Sequence, residues 1–154
     1  MNFTIPQPLA SEHKALHRRL RQATEAGGEV GAAATTVAHL MHPHFVKEDQ
    51  FALPPLALLA LARGEVNAEM AAVLELTDRL KAELPQMLAE HRAIVDALSK
   101  LREAAARAGS DDVVAFAEAL VEHAQTEEAF MYPAAILVGQ VVRQRLGALA
   151  AGLA

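Results

Sequence analysis

One pattern occurs twice in the chain: His, three residues, Glu, five residues, Pro. The first copy is His44-Phe-Val-Lys-Glu48-Asp49-Gln-Phe51-Ala-Leu-Pro54 and the second is His123-Ala-Gln-Thr-Glu127-Glu128-Ala-Phe130-Met-Tyr-Pro133. Both carry an acid directly after the Glu and an aromatic three residues beyond it. A Glu-His pair precedes each copy at nearly the same distance: His13 lies 31 residues before His44, and His91 lies 32 before His123. Residues four apart on an α-helix share one face, so each copy sets an imidazole and a carboxylate side by side. Two such faces and two further imidazoles describe a metal site built from two similar halves. A chain that carries them needs helices long enough to present them together.

The composition agrees. Ala and Leu are abundant, aromatics make up 4% and β-branched residues are scattered, so an all-α fold is expected. At 154 residues the chain is expected to form one domain, burying about 70% of its unfolded surface. The absence of cysteine excludes disulfides, thiolate catalysis, iron–sulfur clusters and the usual structural zinc sites. It fits a reducing compartment. The N-terminal residues have neither a basic start nor an apolar run, and the longest apolar stretch, residues 51–62, is interrupted by Pro54 and Pro55. The expectation is therefore a cytoplasmic protein with no membrane span. A net charge of −5 argues against a nucleic-acid partner. The basic run Lys14, His17, Arg18, Arg19 and Arg21 is the local exception, read as the solvated side of a helix.

Four helical stretches can be read. The first spans about 8–26, with Leu9, His13, Leu16 and Leu20 on one face and Gly27-Gly28 as its stop. The second spans about 29–52 with the stripe Val37, Leu40, Met41, His44, Glu48 and Phe51, and Pro43 predicts a kink or restart within it. A connector over 53–66 follows, with one short helical turn in 56–62. Asn67 is the expected N-cap of a third helix, about 68–108, bent near Pro85 and ended by Gly109. Ser110 caps the fourth, with Asp111 and Asp112 in its first turn, running to about Val138. The bundle is thus expected over about 8–138, with a weakly structured tail over 139–154. Short connections make it an antiparallel four-helix bundle.

With the stripes inward, His13, His44, His91 and His123 fall one per helix, and Glu48 and Glu127 lie one turn beyond two of them. A lone buried carboxylate is costly unless paired or metal-bound. Imidazoles and carboxylates without thiolates suit first-row divalent ions such as iron, manganese or zinc. A carboxylate has two oxygens and can bridge two ions. The count favours a pair of ions with two imidazoles each, two bridging carboxylates and open positions for a small ligand.

These residues resemble the hemerythrin-like, HHE cation-binding family. The resemblance rests on Glu12-His13, His44-Phe-Val-Lys-Glu48, Glu90-His91 and His123-Ala-Gln-Thr-Glu127 with Tyr132-Pro133 behind it, and the order covers nearly the whole chain. It implies an antiparallel bundle with a non-haem di-iron centre (Fe2+/Fe3+), oxo- or hydroxo-bridged and bridged by two carboxylates. Its implied metal ligands are His13, His44, Glu48, His91, His123 and Glu127. It further implies binding of, or reaction with, a small oxidant (dioxygen, nitric oxide or peroxide), or sensing of iron and oxygen. Oxygen-carrying members have a second His four residues after the one on the third helix. Here that position is Val95, while His17 follows His13 by four. The fifth imidazole is therefore either missing or supplied from the other half, which favours reactivity over reversible carriage. Ferritin-like di-iron bundles differ in placing the carboxylate before the His.

The same residues have plainer readings. Glu12 and Glu90 read as surface acids, and Asp49 and Glu128 as solvated or as neighbours of the ligands. His39 lies about 140° and His42 about 200° from His44 around the helix, so both read as surface or seam residues, with an extra ligand left open if Pro43 re-aims one of them. Phe45, Phe51, Phe130, Leu16, Ile94, Met87 and Met131 read as core, and Tyr132 as a packed aromatic with a wet tip or, alternatively, as a hydrogen-bond donor near the site. Three rival functions remain: a sensing module without turnover, a metal-free helical interaction protein, and a zinc-bound structural or hydrolytic bundle. Whether the protein is an enzyme stays open. The long third helix and the Ala-rich helix ends could support a homodimer.

Overall fold

A computed structural model describes residues 3–61 and 66–151, and every regular element among them is helical. The elements are α1 (Gln7–Glu25), α2 (Gly28–Lys47), α3 (Val73–Arg107), α4 (Asp111–Thr126) and α5 (Tyr132–Ala150). Short irregular helices complete them: π turns at Glu48–Ala52 and Glu127–Met131, and 3₁₀ segments at Pro54–Leu61 and Ala68–Ala72. The expected all-α class holds. No helix among the described residues is long and apolar enough to cross a membrane.

The chain divides into two compact units. One comprises Gln7–Phe45 and Pro85–Glu127. It contains α1, most of α2, the second part of α3, and α4. Two contacts fix the direction of each helix pair. His13 meets His123 while Arg19 reaches the Asp112 carbonyl, so α1 and α4 run antiparallel. His44 meets His91 while Glu29 pairs with Arg107, so α2 and α3 do the same. Leu16, Leu20, Val37, Phe45, Ile94, Leu98, Leu101, Phe116 and Leu120 lie in its apolar core. Gly27 and Gly28 turn the chain between α1 and α2 at φ +70° and +56°, a left-handed backbone that favours glycine. Gly109 does the same after α3 at φ +68°. Pro43 lies inside a continuous α2, so no restart occurs there.

The other unit comprises Val46–Leu84, Glu128–Ala154 and the first six residues. Its core gathers Leu58, Met70, Val73, Val138 and Val142, with Leu74 and Leu146 against it. Asn67 caps the Ala68–Ala72 segment, its Oδ1 accepting from the Glu69 N–H at 3.0 Å. Gly139 passes so close to Thr77 that any added Cβ would collide with that side chain.

Three expectations are corrected. The fourth helix does not run unbroken to Val138: a π turn interrupts it at Glu127, and α5 then extends to Ala150. The tail over 139–150 is therefore helical, because Val142 and Leu146 follow Val138 at four-residue spacing and pack with it. Ser110 makes no side-chain cap, although its carbonyl accepts from the Val113 and Val114 N–H groups. The expected helical turn in 56–62 is observed as the 3₁₀ segment Pro54–Leu61, and its last residue lies outside the described residues, as do 152–154 of the tail.

Candidate metal centre

Each of four helices inserts one imidazole into its apolar stripe. On α1, His13 precedes Leu16 and Leu20. On α2, His44 follows Val37 and Met41. On α3, His91 stands between Met87 and Ile94, and on α4 His123 follows Phe116 and Leu120. The 3.6-residue period that buries the hydrocarbons therefore also buries the rings. All four His are buried, as are Glu127 and Glu48.

Within the first-described unit the imidazoles meet in two pairs. His44 Nε2 lies 2.7 Å from His91 Nε2, and His13 Nε2 lies 3.2 Å from His123 Nε2. Glu127 stands between the pairs and divides its oxygens. Oε1 faces His123 Nε2 at 2.9 Å and His13 Nε2 at 3.4 Å, while Oε2 faces His91 Nε2 at 3.4 Å. Ligand atoms of His13, His123 and Glu127 lie within 4.8 Å of one another, as do those of His44, His91 and Glu127.

The far side of two rings sets their protonation. His44 Nδ1 is 2.9 Å from Glu90 Oε2, and His123 Nδ1 is 3.2 Å from Glu12 Oε1. A carboxylate oxygen accepts, so each Nδ1 carries the proton and donates it. In the neutral ring that leaves the Nε2 lone pair directed into the cluster. A carboxylate behind a metal-binding imidazole fixes ring and tautomer in this way. Lone pairs at Nε2 facing carboxylate oxygens repel unless protons or a cation lie between them. The donor set is nitrogen and oxygen only, which suits a first-row divalent ion. Residues and geometry therefore fit a metal site.

Burial pushes the Glu127 carboxyl up, but its contacts with His123, His13 and His91 outweigh burial and hold it well below the usual carboxylate range. Its charge is thus matched to a cationic surrounding, whether protons or metal supply it.

Glu48 belongs to the other unit. It follows His44 by four residues on one continuous helical run and is fully buried. The Tyr132 hydroxyl, also fully buried, donates to Glu48 Oε1 at 2.7 Å. Both His-x-x-x-Glu motifs enter a π turn at the Glu, and Leu53 N–H closes the first by donating to the Glu48 carbonyl at 3.1 Å. Such wide turns inside α-helices recur at functional sites.

Several plainer readings need correction. Glu12 and Glu90 are not idle surface acids: each grips the outer nitrogen of an imidazole on another helix. Their signal in the sequence was the Glu-His pairing itself, since a residue beside a buried His lies at the rim of the same stripe. The tip of Tyr132 is dry and hydrogen-bonded. Phe130 is 70% exposed, whereas Phe51, its counterpart in the first motif, is fully buried under the Arg79 guanidinium. In the second motif Tyr132 takes the buried place. His17, His39 and His42 are exposed and join neither donor group among the described residues; the His17 ring rests on Phe45 at 4.0 Å.

Neither a curated protein nor a solved structure matches the chain. The family model of the hemerythrin HHE cation-binding domain matches residues 4–135, a span that holds every one of these His and Glu residues, and the chain belongs to that family.

Proposed function

We propose that the protein holds a non-haem di-iron centre and uses it to bind or react with a small oxidant: dioxygen, nitric oxide or peroxide. His13, His44, His91 and His123 would hold the ions through their ring nitrogens, and Glu127 and Glu48 would supply the shared carboxylates that offset their charge. The observation that carries this reading is the division of Glu127, with one oxygen towards each imidazole pair. One ion per pair, joined through one carboxylate, accounts for that arrangement more simply than a single ion does. Iron of this kind supplies one-electron chemistry towards small oxidants. The protein's own part is to hold the imidazoles neutral and aimed through Glu12 and Glu90, to fix the Glu48 carboxylate through Tyr132, and to line the surroundings with Phe45, Met87 and Ile94. That apolar lining favours a small uncharged ligand.

Two imidazoles and shared carboxylates per ion leave positions open, which supports reaction or sensing above storage. The test is elemental analysis with an absorption spectrum of protein purified in air. About two irons per chain and a near-ultraviolet charge-transfer band support the reading. A colourless, zinc-loaded sample displaces it in favour of a structural or hydrolytic site, and metal-free protein with the fold intact leaves a plain helical interaction module. With iron present, bleaching or a spectral shift on adding peroxide or nitric oxide identifies the reactive ligand, and catalytic turnover separates an enzyme from a sensor.

A further inference from the structure

The basic run on α1 does not simply face solvent. Lys14, Arg18 and Arg21 repeat at four and three residues along one side of the helix and form the rim of a groove of about 500 Å³ closed by α2. The three are exposed, and among the described residues none of them enters an ion pair. Among the described residues no carboxylate lines the groove, although acids outnumber bases in the chain by 19 to 14. Its floor is apolar, made by Leu20, Ala38 and Met41. His17 and His42 add ring edges, and Thr24 closes one end.

Three cations strung over about 10 Å of helix, with no anion to neutralise them, call for a ligand of more than one negative charge. Arginine favours phosphoryl oxygens, which its planar fork meets with two parallel hydrogen bonds. An inorganic anion would leave the apolar floor wet. A ring attached to the phosphates would cover it, and the volume lies within the usual range for small-molecule sites, about 300–1,000 Å³. The net charge of −5 opposes a nucleic-acid strand.

We propose that the groove between α1 and α2 binds a compact organic phosphate of the nucleoside diphosphate type, phosphates on Lys14, Arg18 and Arg21 and ring on Leu20, Ala38 and Met41. The site is separate from the His and Glu donors, and the proposal holds whatever cation those take.

Titration calorimetry with ADP, adenosine and inorganic pyrophosphate tests it. ADP saturates a single site, adenosine gives no heat, and pyrophosphate binds more weakly than ADP. Arg18→Ala and Arg21→Ala each weaken ADP by about tenfold or more, as expected for a charge-assisted contact. Arg102→Ala, at an exposed arginine paired with Glu118 elsewhere, changes nothing. Amide shifts induced by ADP in the unaltered protein cluster at residues 14–24 and 38–42. The proposal is overturned if ADP fails to saturate, if the two arginine variants bind it as tightly as the parent, or if the shifts fall elsewhere. Pyrophosphate matching ADP removes the ring from the site, and a short single-stranded oligonucleotide binding more tightly than ADP makes the surface a nucleic-acid face; either result refutes the proposal.

Discussion

Glu90 and Glu12 show how much depends on a single acceptor atom. By accepting a hydrogen bond from the Nδ1 of His44 and of His123, they decide which nitrogen of each ring is free to bind. Glu90→Ala or Glu12→Ala should leave helix content unchanged, since both sit at helix rims and Ala is a good helix former. Each should lower metal affinity by about 10–100-fold, measured by competition with a chromophoric chelator. Glu127 governs the acid limb. Its carboxyl titrates well below the ordinary range in the folded protein, so its ionised form stabilises the fold. That contribution is complete above the unfolded carboxylate value and disappears as pH falls through the depressed folded one. Metal-free protein should therefore lose melting temperature across that acid window, and Glu127→Gln should flatten the loss; an unchanged acid limb in the variant would contradict the assignment. The burial of His13, His44, Glu48, His91, His123 and Glu127 could be read from spacing alone, because a helix repeats every 3.6 residues and places them in apolar stripes. The acids behind the rings could not, because spacing says which face a residue shares, not how far a flexible carboxylate reaches to the next helix.

The two π turns are the elements that set the motif apart from an ordinary His-x-x-x-Glu pair. Each begins at the carboxylate, and the wider turn changes the angle at which everything after it emerges. After the second turn Phe130 is exposed and Tyr132 buried, whereas within the first Phe51 is buried. Deleting Ala129 should restore a regular α register, swing Tyr132 away from Glu48 and reduce bound metal, while circular dichroism still reports a helical protein. An unaltered metal content would show the turn to be incidental. The α5 helix supplies a second test. Gly139→Ala would force the α5 backbone away from Thr77, an overpacking that costs about 1–3 kcal/mol, read as a lowered urea midpoint. Helix starts and stops at Gly27, Gly28 and Gly109 were legible because only glycine takes that backbone readily. The π turns were not, since no residue type marks them. The α5 extension was hidden because Val138, Val142 and Leu146 stand among small and charged residues that weaken the pattern.

For the whole molecule, buried polar side chains in apolar stripes are a liability unless something pairs them. His13, His91 and His123 crowd the Glu127 carboxylate in a low-dielectric interior, where polar atoms without a partner are costly. Any ion that binds the folded chain and not the unfolded one adds stability by mass action, about 2.7 kcal/mol at a hundred times the dissociation constant. For a chain of this size that corresponds to about 5–10 °C in melting temperature. Ferrous iron added without oxygen should produce such a shift, and a strong chelator should reverse it. A shift of the same size in a His91→Ala, His123→Ala double variant would place the cation elsewhere. The fold class was legible from composition and period together.

Tyr132 is the only tyrosine, and the chain has no tryptophan. In the metal-free protein nearly all near-ultraviolet absorbance and intrinsic emission therefore come from one ring whose hydroxyl donates to Glu48. Changes at that carboxylate are written directly into the intrinsic ultraviolet signal, so the protein carries its own unlabelled optical gauge of what happens there.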